Sequence, residues 1–281
     1  MSQPSASSAG SRRPPARRAG RVIAYCALAY LFSWAVWVPM IIQGHLTRPG
    51  QGWPTHLLGL LGPALAALVV TAAAQGRPGV TALARRTVRW RGVGRWFWTV
   101  GAILLVGAGS VAVLALTGAK PLSVLELSTY SGAPVIEPLL LVIYVLVVNG
   151  FGEEIGWRGF LAEELLTGHG VLPTAVITAL IWAGWHLPLF WVVESFRAMG
   201  WTSLGWLAGL LCGSVVLTWM YHGSGHSILL VALWHTAYNL TSATSGTQGI
   251  PAAATSTVVM AAAIIITVVQ LRQRSGGRGI P

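Results

Sequence analysis

The chain has 281 residues, of which 54% are hydrophobic, 9% are charged and 14 are tryptophan. So little charge cannot solvate a globular surface of this size, and so much apolar area does not fit inside one core, which excludes an ordinary soluble enzyme and favours the membrane class. The net charge of +11 does not signal nucleic acid, because the basic residues are confined to the termini and a few loops, as topology signals are in membrane proteins.

In chain order, the first 21 residues predict a disordered basic cytoplasmic tail. They look like the basic region of a signal peptide, but the apolar run behind them is long and has no small-residue cleavage site, so the first span is expected to be retained. A spanning helix needs about 20 mostly apolar residues. Such stretches fall near 22–43, 56–74, 97–117, 135–163, 173–193, 201–221, 225–241 and 252–270. The fold class expected is therefore all-α, a polytopic membrane protein with about eight transmembrane helices, the fourth longer than one crossing needs. Cys26 and Cys212 lie inside apolar segments, so no disulfide framework is expected.

With an even span number both termini face one side. The tail, the second loop (Arg77 to Arg95), Arg158 and the C-terminal arginines then hold 15 of the 18 basic residues, and only Arg48, Lys120 and Arg197 face the other side. Positive loops stay inside, so the reading is a multi-pass protein of the cell membrane with both termini cytoplasmic. The stretch ALARRTVRWRGVGRW, 82–96, is expected along the cytoplasmic lipid surface. The organisation expected is a tail (1–21), three helices with the basic loop (22–129), a central transmembrane core (130–245), and a last helix with its basic end (246–281).

All seven acidic residues are glutamates, and two stand side by side in NGFGEEIGWRGF, 149–160. Ionisable groups inside spans cost roughly 2.5 to 3.5 kcal/mol on insertion scales and are functional by default. Neighbouring residues on a helix point about 100° apart, whereas residues four apart share a face. Glu154 and Arg158 therefore form one stripe, which leaves Glu153 facing elsewhere with a free carboxylate able to serve as a general base. Counted from Glu163 and Glu164, read as the first aqueous acids, Glu153 lies about 15 Å deep. His235, counted from Gly225, lies at a similar depth, and His186, counted from Pro173, lies near 20 Å. Trp182 shares a face with His186, and Asn239 with His235. Gly150, Gly152, Gly156 and Gly159 would let neighbouring helices approach closely. His222 and His226 read as interfacial residues.

Glu153 and His186 around a water, with His235 and Asn239 as donors to a developing oxyanion, would suit peptide hydrolysis without a covalent intermediate. No serine or cysteine beside a base offers a nucleophile. No metal is expected. Zinc on two histidines and a glutamate is the less favoured alternative, because H-E-x-x-H is absent.

EEIGWR at 153–158 resembles the E-E-x-x-x-R motif of the CPBP family (CAAX protease and bacteriocin-processing, also called Abi) of intramembrane endopeptidases. WAGWH at 182–186 is similar to its F-x-x-x-H motif, with Trp182 where Phe is usual, and HTAYN at 235–239 to its H-x-x-x-N motif. The resemblance covers about residues 130–245. It implies an eight-helix membrane protease in which Glu153 and His186 activate water and His235 and Asn239 form the oxyanion site. Glu154 and Arg158 would support them, and Trp182 would pack. The substrate implied is a membrane-associated peptide or protein, lipidated in some members, with membrane lipids as surroundings and no nucleic acid. The family is often labelled a metalloprotease. The rival readings are a proton-coupled transporter, which would show interrupted spans in matching halves, and a non-catalytic membrane scaffold.

Overall fold

The computed structural model describes residues 15–118 and 122–276. Most of the expected disordered tail, residues 1–14, lies outside the described residues. Eight principal helices follow one another: α1 (Pro15–Ile42), α2 (Gly62–Thr87), α3 (Phe97–Leu116), α4 (Pro138–Leu166), α5 (Val171–Trp185), α6 (Ser203–Gly223), α7 (Ile228–Ser242) and α8 (Ile250–Gly276). Each falls on one of the apolar runs read from the sequence. Six helical stretches are long and apolar enough to cross a membrane, whereas α5 and α7 have 15 residues each. No β-strand occurs among the described residues, only isolated bridges. The protein is an all-α, multi-pass membrane protein, as expected of a chain that must satisfy every backbone N–H and C=O inside lipid.

Large apolar side chains remain exposed along the outer helices, among them Leu31, Leu105, Leu139, Ile143 and Ile264. They form the face a bilayer would cover. The interior is closed by tryptophan: Trp37, Trp157 and Trp185 are wholly buried, and the Trp185 ring meets the other two edge-on. Helix α4 runs through the centre of this packing, against both α2 and α7, while α5 pairs with α6 and α8 seals α3 and α6.

Three boundaries differ from expectation. Helix α1 already begins at Pro15, so Arg17, Arg18 and Arg21 belong to a helix rather than to a tail. Helix α2 continues to Thr87 instead of ending near 74. It does so through a kink at Gly76, whose φ of 61° a glycine adopts without steric cost, two residues before Pro78. The first part of the 82–96 stretch is consequently helical. Helix α4 is interrupted by two π turns, Leu146–Phe151 and Trp157–Ala162, which flank the glutamate pair. Turns of this kind are rare and frequent at functional sites.

The glycines on α4 set how closely it is packed. A side chain at Gly150 would meet Thr236 Oγ1 at 2.7 Å and the Ala232 carbonyl oxygen at 2.9 Å on α7, and one at Gly156 would meet Pro63 and the Tyr25 hydroxyl at 2.5 Å. Small residues thus bring the helix bearing the acids against α1, α2 and α7, the usual role of glycine at membrane helix contacts.

Candidate active site

Glu153 and Glu154 occupy the short α-helical turn Gly152–Gly156 between the two π turns. Both carboxylates are buried, 3% and 0% exposed, and each has its own set of partners. Arg158, also wholly buried, donates to Glu154 Oε1 at 2.9 Å. His235, from α7, donates through Nδ1 to the same oxygen at 2.8 Å. Glu154 therefore bridges two helices and fixes the ring of His235, leaving Nε2 as its outward nitrogen.

Glu153 has a different neighbour. The indole N–H of Trp182, from α5, donates to Glu153 Oε2 at 2.7 Å. The Trp182 ring also carries the Arg158 guanidinium 4.7 Å over its centre and lies 5.6 Å, centroid to centroid, from the rings of both His186 and His235. The side chain read as packing is thus the hub that touches Glu153, Arg158 and both imidazoles. Phenylalanine, usual at this position, has no N–H with which to make the bond.

His186 is the residue at which α5 ends, so it stands at a helix terminus rather than within a span that continues to 193. Pro188 explains the break, because the residue before a proline avoids the helical region. Its Nδ1 lies 2.8 Å from the Trp182 carbonyl oxygen. A carbonyl only accepts, so Nδ1 bears a proton, and in its neutral form the His186 ring presents the Nε2 lone pair. Trp185, Phe196 and Trp206 surround the ring. Asn239, one turn beyond His235, is half-buried, and its side chain makes no hydrogen bond among the described residues.

Two groups beside the site were not singled out in the sequence. Asn149 is buried one turn before Glu153, and its Oδ1 has no hydrogen-bond partner among the described residues. The four-residue spacing that linked Glu154 to Arg158 would have found it. Tyr130, in the loop before α4, is buried; desolvation pushes its phenol well above the ordinary range, with the negative charge of Glu153 adding to the effect. It keeps its proton and stands near Glu153 as a neutral group. No spacing rule links it to α4.

The acids read as aqueous are in fact paired. Glu163 Oε2 accepts from Arg86 at 2.9 Å, Tyr221 at 2.8 Å and His226 at 2.5 Å, and Glu164 accepts from Arg21 at 2.8 Å. His226, read as merely interfacial, therefore joins the ends of α4 and α6, and the arginines of α1 and α2 supply the counter-charge. Among the described residues no group of three or more His, Cys, Asp or Glu side chains is arranged to hold a metal ion. His186 and His235 each spend Nδ1 on an orienting bond, and Glu154 is taken by Arg158 and His235.

Comparison with known proteins finds likeness in the same part of the chain. A family model described as type II CAAX prenyl endopeptidase Rce1-like matches residues 135–241, the segment that contains all three motifs. A CAAX prenyl protease 2 of Methanococcus maripaludis is 28% identical over 104 residues, which are 35% of this chain and 38% of the relative. The chain thus aligns with well under half of that relative's length. The likeness lies in the central segment, residues 135–241, which is less than half of the chain.

Proposed function

We propose that the protein is an intramembrane endopeptidase that hydrolyses a peptide bond in a membrane-associated or lipidated substrate with water activated by Glu153 and His186. The observation that carries this reading is the division of labour between the two acids. Arg158 and His235 are committed to Glu154, whereas Glu153 is buried with one neutral donor and keeps a second oxygen for a proton.

In the first step a water, held by the Nε2 lone pair of His186, gives its proton to Glu153 as its oxygen attacks the scissile carbonyl carbon. The carbonyl electrons move onto oxygen. Asn239 can donate to this oxyanion through its amide, and His235 through Nε2 once it carries a second proton, with Glu154 as counter-ion. Two glutamates, Arg158 and a protonated His235 sum to zero charge, the balance a buried site needs. Glu153 then passes its proton to the leaving nitrogen as the oxyanion electrons return to carbon and the C–N bond breaks; the hydroxyl proton left from the water moves by way of the His186 Nε2 lone pair to the amine, so that a carboxylate and an ammonium group are released.

The CAAX prenyl protease name of the archaeal relative suggests, for this chain, a substrate carrying a C-terminal lipid-modified peptide. The test is cleavage of prenylated and unprenylated peptide libraries by the purified protein in liposomes containing a chelator, with products read by mass spectrometry. New carboxyl termini that vanish in His186→Ala support the proposal; no cleavage of any peptide by the wild-type protein refutes it. We also propose that both termini are cytoplasmic, on the arginine asymmetry. Digestion of a terminal tag by protease added outside intact cells would contradict that topology.

A further inference from the structure

A cavity of about 740 Å³ with charged side chains in its wall lies where α1, α2 and the end of α4 meet. Arg18 and Arg21 of α1, Arg85 and Arg86 of α2, and Glu163 and Glu164 of α4 line it. The two acids are matched by Arg86 and Arg21. Arg18 and Arg85 have no ion pair among the described residues, so the lining carries two positive charges beyond its own neutralisation. Arg21 Nε is buried without a hydrogen-bond partner. Such a cavity asks for an acceptor with negative charge.

A second cavity, of about 660 Å³, lies between α1 and α2, and Arg21 lines both. Its other walls include Ala24, Leu28, Val69, Val70 and Ala73. Val69 is half exposed, and Leu65 and Leu68 beside it also lie on the surface, so this groove opens on an apolar face of the helix bundle. A charged head site joined at one arginine to an apolar channel suits an amphiphile. A soluble anion or a peptide carboxylate would make no use of the channel.

We infer that α1, α2 and α4 form a binding site for one anionic phospholipid, its phosphate among Arg18, Arg21 and Arg85 and an acyl chain in the α1–α2 groove. Clusters of basic residues between transmembrane helices recognise lipid headgroups by this chemistry. The occupant ties α1 and α2 to the helix that bears Glu153 and Glu154. None of the six residues named at the head site belongs to the hydrolytic set, so this site stands or falls independently of the proposed reaction.

The experiment uses the full chain, delipidated in a mild detergent, titrated with dioleoylphosphatidylglycerol, dioleoylphosphatidylcholine or inorganic phosphate. Native mass spectrometry counts bound lipid, and thermal unfolding reports stabilisation. A saturable one-to-one phosphatidylglycerol adduct that raises the unfolding temperature more than phosphatidylcholine is expected. Arg18→Gln with Arg85→Gln should weaken it about 25-fold, roughly fivefold for each arginine near the headgroup. Neither substitution breaks an ion pair, and Arg85→Gln alone, at an exposed position, provides the fivefold test should the pair fail to fold. Ala73→Trp, which fills the groove, should weaken phosphatidylglycerol and leave inorganic phosphate unaffected. Equal stabilisation by phosphatidylcholine, or by phosphate alone, overturns the lipid assignment, as does full affinity in folded arginine variants.

Discussion

Replacing Trp182 with phenylalanine isolates one bond of the site. The substitution keeps an aromatic face under Arg158 and removes the N–H that holds Glu153 Oε2 at 2.7 Å. Both ends of that bond are buried, and a hydrogen bond to a charged group is worth about 1.5 to 3 kcal/mol. Two consequences oppose each other. A carboxylate without its donor is a stronger base, and with a Brønsted slope near one half this would return about half of the lost interaction to the rate. Against this, the carboxylate is free to turn away from the water, and misplacement by about 1 Å costs on the order of 100-fold. Orientation wins on these magnitudes, and the net expectation is a fall in kcat of about tenfold, equivalent to about 1.4 kcal/mol. KM should stay within about twofold, because Trp182 acts through Glu153 and has no role in substrate binding here. The assay is steady-state cleavage of a fluorogenic peptide in liposomes, with thermal unfolding measured alongside. A folded Trp182→Phe protein with unchanged or raised kcat would refute the reasoning and return position 182 to a packing role.

Two further substitutions test the frame around the site. Arg158→Met leaves the wholly buried Glu154 with His235 as its remaining hydrogen-bonded partner, and breaking such a pair costs about 3 to 5 kcal/mol; a large fall in unfolding temperature is expected, and a shift of under a degree would contradict it. Gly150→Val drives a side chain into Thr236 and the α7 backbone, which should cost about 1 to 3 kcal/mol and lower activity by moving His235; unchanged stability and activity would show that α4 and α7 yield freely.

The helices long and apolar enough to cross a membrane, six among the described residues, were legible because a membrane helix satisfies its own backbone and must be apolar along its length, so the signal is local. The continuation of α2 past Gly76 was not, since the arginine-rich stretch after the kink has the composition of a surface loop. The Glu154–Arg158 pair follows from helical spacing, but the bond from His235 to Glu154 joins residues 81 apart, and no local period encodes it. Position 182 was read through its usual phenylalanine, which hid the one atom that distinguishes tryptophan chemically. The π turns on either side of Glu153 change the register of α4, so an unbroken helical wheel over 138–166 could not assign every face. Charge alone marks Glu163 and Glu164 as a waterline, whereas their partners come from α1, α2, α6 and the turn before α7.

The central claim is that the Glu153 carboxylate takes the proton of the attacking water. Its most direct test is single-turnover cleavage by Glu153→Gln, a near-isosteric change that preserves an acceptor for Trp182 and removes the base. General-base catalysis contributes about 10²- to 10⁴-fold, so the chemical step should slow by at least 100-fold while substrate binding and unfolding temperature are retained. Cleavage within a few-fold of the wild-type rate in that protein would contradict the account.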